Sequence, residues 1–205
     1  MPRLRADRFL LALIEVFVVF IGLPLLALSY DAVVTLPVVM GAMLTSTIVL
    51  LSATRQFHWA DLLPVDFWSE RRLAASFLLA FVFTAGSLSL FYWPERIGDV
   101  SADTVIMLLA FPLVTALPME LVYRALFFRR YGHLIASEPL AIFLGALATA
   151  LGYAVLSGSP AGVAFGFGVG LALGWTYLNT GNFVLCVLIH WFAAVSIFLV
   201  GPGVL

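Results

Sequence analysis

Glu15, Glu120, Arg124 and His190 are ionisable side chains set inside long apolar stretches of the sequence. Charge in hydrocarbon is costly, so each marks a candidate site whose partner must be found. A carboxylate beside an imidazole can draw a proton from water and hold the charge that results, which is what general acid–base hydrolysis requires. Glu120 precedes Arg124 by four residues, the favourable acid-then-base order for pairing on one helix face. Such a pair serves architecture equally well, because a buried ion pair costs far more to break than to keep. Pro118, just upstream, loosens the helix and frees backbone carbonyls at that point. His190 must look to another helix for a hydrogen bond unless it is a catalytic group or a metal ligand, and Glu15 needs a hydroxyl or an arginine from elsewhere in the chain. His58 and His133 fall among loop residues and read as interfacial.

The elements that must position these groups are membrane helices. The chain has 205 residues, 63% hydrophobic and 10% charged, with a mean hydropathy of +1.13, whereas a soluble domain is about one quarter charged. About seven spans of roughly 20 residues account for most of the length, at 9–30, 33–53, 73–93, 104–128, 140–156, 163–178 and 183–200. The expectation is an all-α, polytopic bundle in which residues 1–205 form one integral membrane domain. The first run resembles a secretory signal behind Arg3, Arg5 and Arg8, but its length, Glu15 and Pro24 mark it as a retained span. All ten basic residues are arginines and the formal net charge is -1, which leaves nucleic acid no electrostatic footprint. The lone Cys186 reads as a small buried hydrophobe.

The arginines also set orientation. Arg3, Arg5 and Arg8, then Arg55, Arg71 and Arg72, then Arg129 and Arg130 fall on one side of a seven-span arrangement, against Arg96 on the other. The N-terminus is therefore expected in the cytoplasm, the C-terminus outside, and the protein in the plasma membrane. The segment from His58-Trp59 to Phe67-Trp68 mixes aromatics with charge and suits the interface. Gly162, Gly166, Gly170 and Gly174 give one helix face a small-residue stripe, fit for tight packing within the chain, a dimer seam or a groove for a guest helix. Asn179-Thr180-Gly181-Asn182 then turns the chain into its last span, making an antiparallel hairpin.

No His-Glu-x-x-His helix, paired-cysteine metal spacing, phosphate-cradling loop or Gly-x-Ser-x-Gly elbow is present. Instead, Pro118-Met119-Glu120-Leu121-Val122-Tyr123-Arg124, followed by Phe127-Phe128-Arg129-Arg130-Tyr131-Gly132, resembles the Glu-Glu-x-x-x-Arg motif of the CAAX protease and bacteriocin-processing (CPBP) family of intramembrane endopeptidases. The likeness continues through Gly174-Trp175-Thr176-Tyr177-Leu178-Asn179-Thr180-Gly181-Asn182, similar to the family's Gly-x-x-Tyr-x-x-Thr-Gly-Ser/Asn turn, and into His190. It covers 117–194 and implies a CPBP-like core at about 104–200.

In that family the first glutamate of the doublet and a histidine of the next helix activate water, and a histidine with Asn/Asp on the last helix binds metal or steadies the oxyanion. This chain matches at Glu120, Arg124 and His190, but carries Met119, Tyr153 and Ala194 at the other family positions. Methionine takes no proton and alanine donates none, while a phenol is a poor base near neutrality. The reading that follows is a catalytically eroded relative, a pseudoenzyme that binds a membrane protein or membrane peptide as a scaffold or accessory subunit, with lipid as its other partner. The alternative is an active endopeptidase cleaving membrane-embedded or lipidated peptides, with Glu120 as base and His190 as stabiliser, both able to ligate a divalent metal such as zinc. A small transporter using Glu15, Glu120 and Arg124 is a further alternative.

Overall fold

The computed structural model describes residues 2–28, 32–63 and 112–200, with isolated positions 75, 106, 109 and 110. The expected span at 73–93, the start of the one at 104–128, the interfacial residues Phe67 and Trp68, and Arg71, Arg72 and Arg96 lie outside the described residues. Within them the chain is helical. Helix α1 runs through Pro2–Phe17, one widened turn at Val18–Gly22, and Leu23–Leu28. Helix α2 is Ala32–Ser52. Helix α3 joins Pro112–Ala116, Leu117–Glu120 and Leu121–Tyr131 into one continuous element. Helices α4, α5 and α6 are Glu138–Ser157, Pro160–Thr180 and Phe183–Val200. Three stretches, Phe9–Leu28, Glu138–Val155 and Pro160–Thr180, are long and apolar enough to cross a membrane, and Pro37–Ser52 and Phe183–Ala193 are shorter apolar helices. The result is an all-α membrane bundle.

Helix α3 is the centre of the bundle. Met119, Glu120, Val122, Tyr123, Arg124, Ala125, Leu126 and Phe127 are all buried, so this stretch is enclosed on every side, whereas Leu113 and Val114 at the start of α3 are exposed. Helices α2, α4, α5 and α6 all pack on it. Phe20 of α1 meets it through ring contacts with Tyr123, Phe127 and Tyr131 at centroid distances of 6.0, 5.6 and 6.1 Å. Over Leu121–Tyr131 the backbone is wound with the wider i→i+5 bonding, a rare geometry that clusters at functional sites. The outer residues of α1, among them Phe9, Leu10, Leu13 and Phe17, are exposed and apolar, as a lipid-facing surface requires.

The glycine stripe of α5 is used inside the chain. A β-carbon on Gly170 would lie 2.6 Å from the Ala146 Cα of α4, and one on Gly166 would collide with the Tyr153 side chain. Helix α4 thus occupies the face that a dimer seam or guest helix would need, and the α4–α5 pair is the most intimate among the described residues. The break between them comes from Gly158, left-handed at φ 60°, followed by Ser159, whose Oγ accepts from the Gly162 amide at 3.0 Å. The turn into α6 repeats the device. Gly181 is left-handed at φ 65°, and Asn182 Oδ1 caps the new helix by accepting from the Leu185 amide at 2.9 Å.

Candidate functional site

Glu120 and Arg124 sit one turn apart on α3, with Arg124 Nε 3.3 Å from Glu120 Oε2, and both are essentially inaccessible, at 1% and 0% exposure. The opposite oxygen, Glu120 Oε1, lies 2.8 Å from His190 Nδ1 on α6. The other ring nitrogen, His190 Nε2, lies 3.0 Å from the Tyr153 hydroxyl on α4. One neutral tautomer satisfies both contacts: Nδ1–H donates to the carboxylate and the phenol O–H donates to Nε2. Arg124 reaches further, with Nη1 donating to the Tyr123 carbonyl at 3.0 Å and to Thr149 Oγ1 of α4 at 3.1 Å. The chain Thr149, Arg124, Glu120, His190, Tyr153 therefore links α3, α4 and α6 in the middle of the bundle. Its formal charges cancel, the condition for keeping ions in hydrocarbon.

Thr149 is the member that sequence reasoning missed. Its trace was a hydroxyl in an apolar helix, which here also donates back to the Gly145 carbonyl at 2.8 Å. Among the described residues, Arg124 Nε and Nη2 and Glu120 Oε2 are buried without a hydrogen-bond partner, Nε and Oε2 being held by their ion-pair contact.

Met119 faces elsewhere. It lines a small apolar pocket between α1, α2, α3 and α4, with about 20 Å³ of free space, together with Pro24, Met40, Met43, Tyr123 and Gly152. Glu120 is absent from that lining, so adjacent residues on α3 serve different sides of the helix. Ala194 is placed on α6 one turn beyond His190, and its side chain lies outside the described residues.

Glu15 belongs to another cluster. Arg130 grips it with two bonds, Nε to Oε2 at 2.7 Å and Nη2 to Oε1 at 2.8 Å, and the Tyr131 hydroxyl donates to Oε2 at 3.0 Å. Arg130 Nη1 also donates to the Leu50 carbonyl at 3.1 Å and Thr54 Oγ1 at 3.0 Å, tying α1, α2 and α3 together. Both Glu15 oxygens are thereby taken, and Glu15 does not join Glu120 and Arg124 in the common path a transporter would use.

The residues present do not fit a divalent metal. Among the described residues no group of three or more His, Cys, Asp or Glu side chains converges. The two candidates already face other groups: one Glu120 oxygen faces the guanidinium, the other faces His190 Nδ1, and His190 Nε2 faces a hydroxyl. A zinc site needs three or four such donors turned to one point.

Residues 101–196 match the family model described as type II CAAX prenyl endopeptidase Rce1-like. Comparison with curated proteins and with solved structures returned no match. The matched segment contains α3 to α5 and the start of α6, and so every member of the network from Glu120 to His190.

Proposed function

On the premise that residues 101–196 are a CPBP-type core in a membrane protein, we propose that this chain holds a membrane-embedded segment of another protein without cutting it. The observation that carries this reading is the environment of Met119. Where the family has its first glutamate, this chain has a thioether inside an apolar pocket shared with Met40 and Met43. Methionine is flexible and polarizable, and surfaces rich in it re-pack around varied apolar guests. Nothing in that lining activates water. The polar network beside it acts as a lock across α3, α4 and α6, keeping the pocket in shape.

A second reading, intramembrane endopeptidase, is favoured by one observation. Arg124 Nη2 is a buried donor without an acceptor among the described residues, beside a carboxylate backed by an imidazole. Glu120 would accept a proton from water, His190 would share the charge, and Arg124 would face the oxygen on which negative charge develops.

Purified protein in proteoliposomes, supplied with transmembrane peptides and prenylated CAAX-type peptides, separates the two. The scaffold reading expects no cleavage by the wild type or by Met119→Glu, together with cross-linking of a membrane peptide from a photoreactive residue placed at Met40. Turnover that both Glu120→Ala and His190→Ala abolish would overturn it in favour of the enzyme.

A further inference from the structure

A second binding feature lies well away from the network, at the end of the bundle where α1 begins and α2 and α3 finish. Arg55, Arg129, Arg130 and His133 line one open pocket there with Glu15, and Phe9 and Leu134 form part of its wall. Phe9 and Leu134 also line a second cavity, an apolar groove between α1, α3 and α4 with about 490 Å³ of free space, floored by Leu13, Phe20, Phe127, Leu144, Leu147 and Leu151. The two adjoin at those shared residues. A cationic pocket therefore lies beside the rim of a hydrophobic slot.

The charges at this pocket are unequal. Glu15 neutralises Arg130 through the two-bond grip already described. Arg55 and Arg129 take no part in any ion pair among the described residues. Arg129 is held in place by donating from Nε to the Tyr177 hydroxyl at 3.2 Å, which leaves the end of its guanidinium to face the pocket. Two arginines without an ion-pair partner among the described residues thus sit beside an apolar slot. The groove is also the right length. Phe9 and Ile21, which both line it, are separated along α1 by about 18 Å of helical rise, against about 15 Å for one leaflet of the hydrocarbon core.

We infer that this paired pocket and groove binds an anionic phospholipid, its phosphate between Arg55 and Arg129 and one acyl chain laid between α1 and α4. Basic pockets between helices at the cytoplasmic surface take anionic headgroups, because that leaflet carries the negative lipids. The arginine-rich ends of α1, α2 and α3 meet at this same face. Neither half of the site accounts for a ligand alone. A free anion would leave the slot empty, and a lipid with no net charge would leave the positive charge of the arginines uncompensated.

The test uses the full chain, delipidated in a mild detergent and titrated with phosphatidylglycerol or with phosphatidylcholine of the same acyl chains, read by native mass spectrometry and by Tm. Phosphatidylglycerol should be retained at one per chain and raise Tm, and phosphatidylcholine should do neither. Arg55→Gln with Arg129→Gln should weaken the lipid about thirtyfold, and Leu147→Trp, which fills the slot, should abolish retention. Competition on the wild-type protein keeps the test decisive if a variant fails to fold. Equal effects of the two lipids would overturn the proposal, as would an arginine variant with unchanged preference. So would a full Tm shift from inorganic phosphate alone, which would assign a free anion. Displacement of phosphatidylglycerol by an equimolar farnesylated peptide would assign the groove to a lipidated protein tail instead.

Discussion

Glu120 is bound on both oxygens, to His190 through one and to Arg124 through the other, with both neighbours on the interior of a membrane bundle. Removing one charge of such a pair leaves the other uncompensated, which costs about 3–5 kcal/mol, whereas replacing both by apolar side chains of similar volume is close to neutral. Arg124→Met and Glu120→Met should therefore each lower the unfolding free energy in detergent by about that amount. Their combination should cost no more than the worse single change, offset only by the unsatisfied His190 Nδ1–H, worth about 1–3 kcal/mol. Denaturant titration of the four proteins completes the cycle, and simple additivity would show that the two residues do not act as a pair. Tyr153 stands where the CPBP resemblance expects a histidine, and its hydroxyl lies 3.0 Å from His190 Nε2. A phenol there can close a hydrogen-bond chain but is a poor base near neutrality.

The elements are set by where backbones can approach. On α5, Gly170 sits against the Ala146 backbone, while a β-carbon on Gly174 would meet the Ile142 side chain and the Phe128 ring at 3.5 Å and the Ile142 Cα at 3.7 Å. Gly170→Ala should thus force α4 and α5 apart and cost about 1–3 kcal/mol. Gly174→Ala, at ordinary contact distance and with a better helix former, should be neutral or stabilising. Equal thermal shifts for the two would mean that the stripe is not what brings α4 and α5 together. This contrast marks what could be read from the chain. Period-four glycines announced close packing, and Gly181 and the capping Asn182 announced the last turn, because both signals are local. The Glu120–Arg124 pair was legible for the same reason. Which helix fills the glycine face, which arginine meets Glu15 across more than a hundred residues, and which side of α3 Met119 serves all depend on tertiary placement, and local spacing holds no record of it. The wide winding of Leu121–Tyr131 has no sequence signal that we can identify.

At the scale of the whole molecule, the sparse charges do two separate jobs. Glu120 and Arg124 cancel within the bundle, whereas Arg55, Arg129 and Arg130 gather at one end, around the pocket that also holds Glu15. Segments that are far apart in sequence share that end because Arg130 bonds to Glu15 of α1 and to Leu50 and Thr54 of α2. Cationic ends are retained in the cytoplasm during insertion, so this end should face the cytoplasm, and the α4–α5 turn at Gly158 and Ser159, one apolar helix of about 30 Å away, should face outward. Cysteine labelling can read this directly, because Cys186 is fully buried and gives little background. Ala60 and Ala161 are both exposed. Ala161→Cys should react with a membrane-impermeant maleimide in intact cells, and Ala60→Cys should react only after the cells are opened. The reverse pattern would invert the topology and put the lipid pocket in the outer leaflet, while labelling of both sites from outside would show that α4 does not cross the membrane.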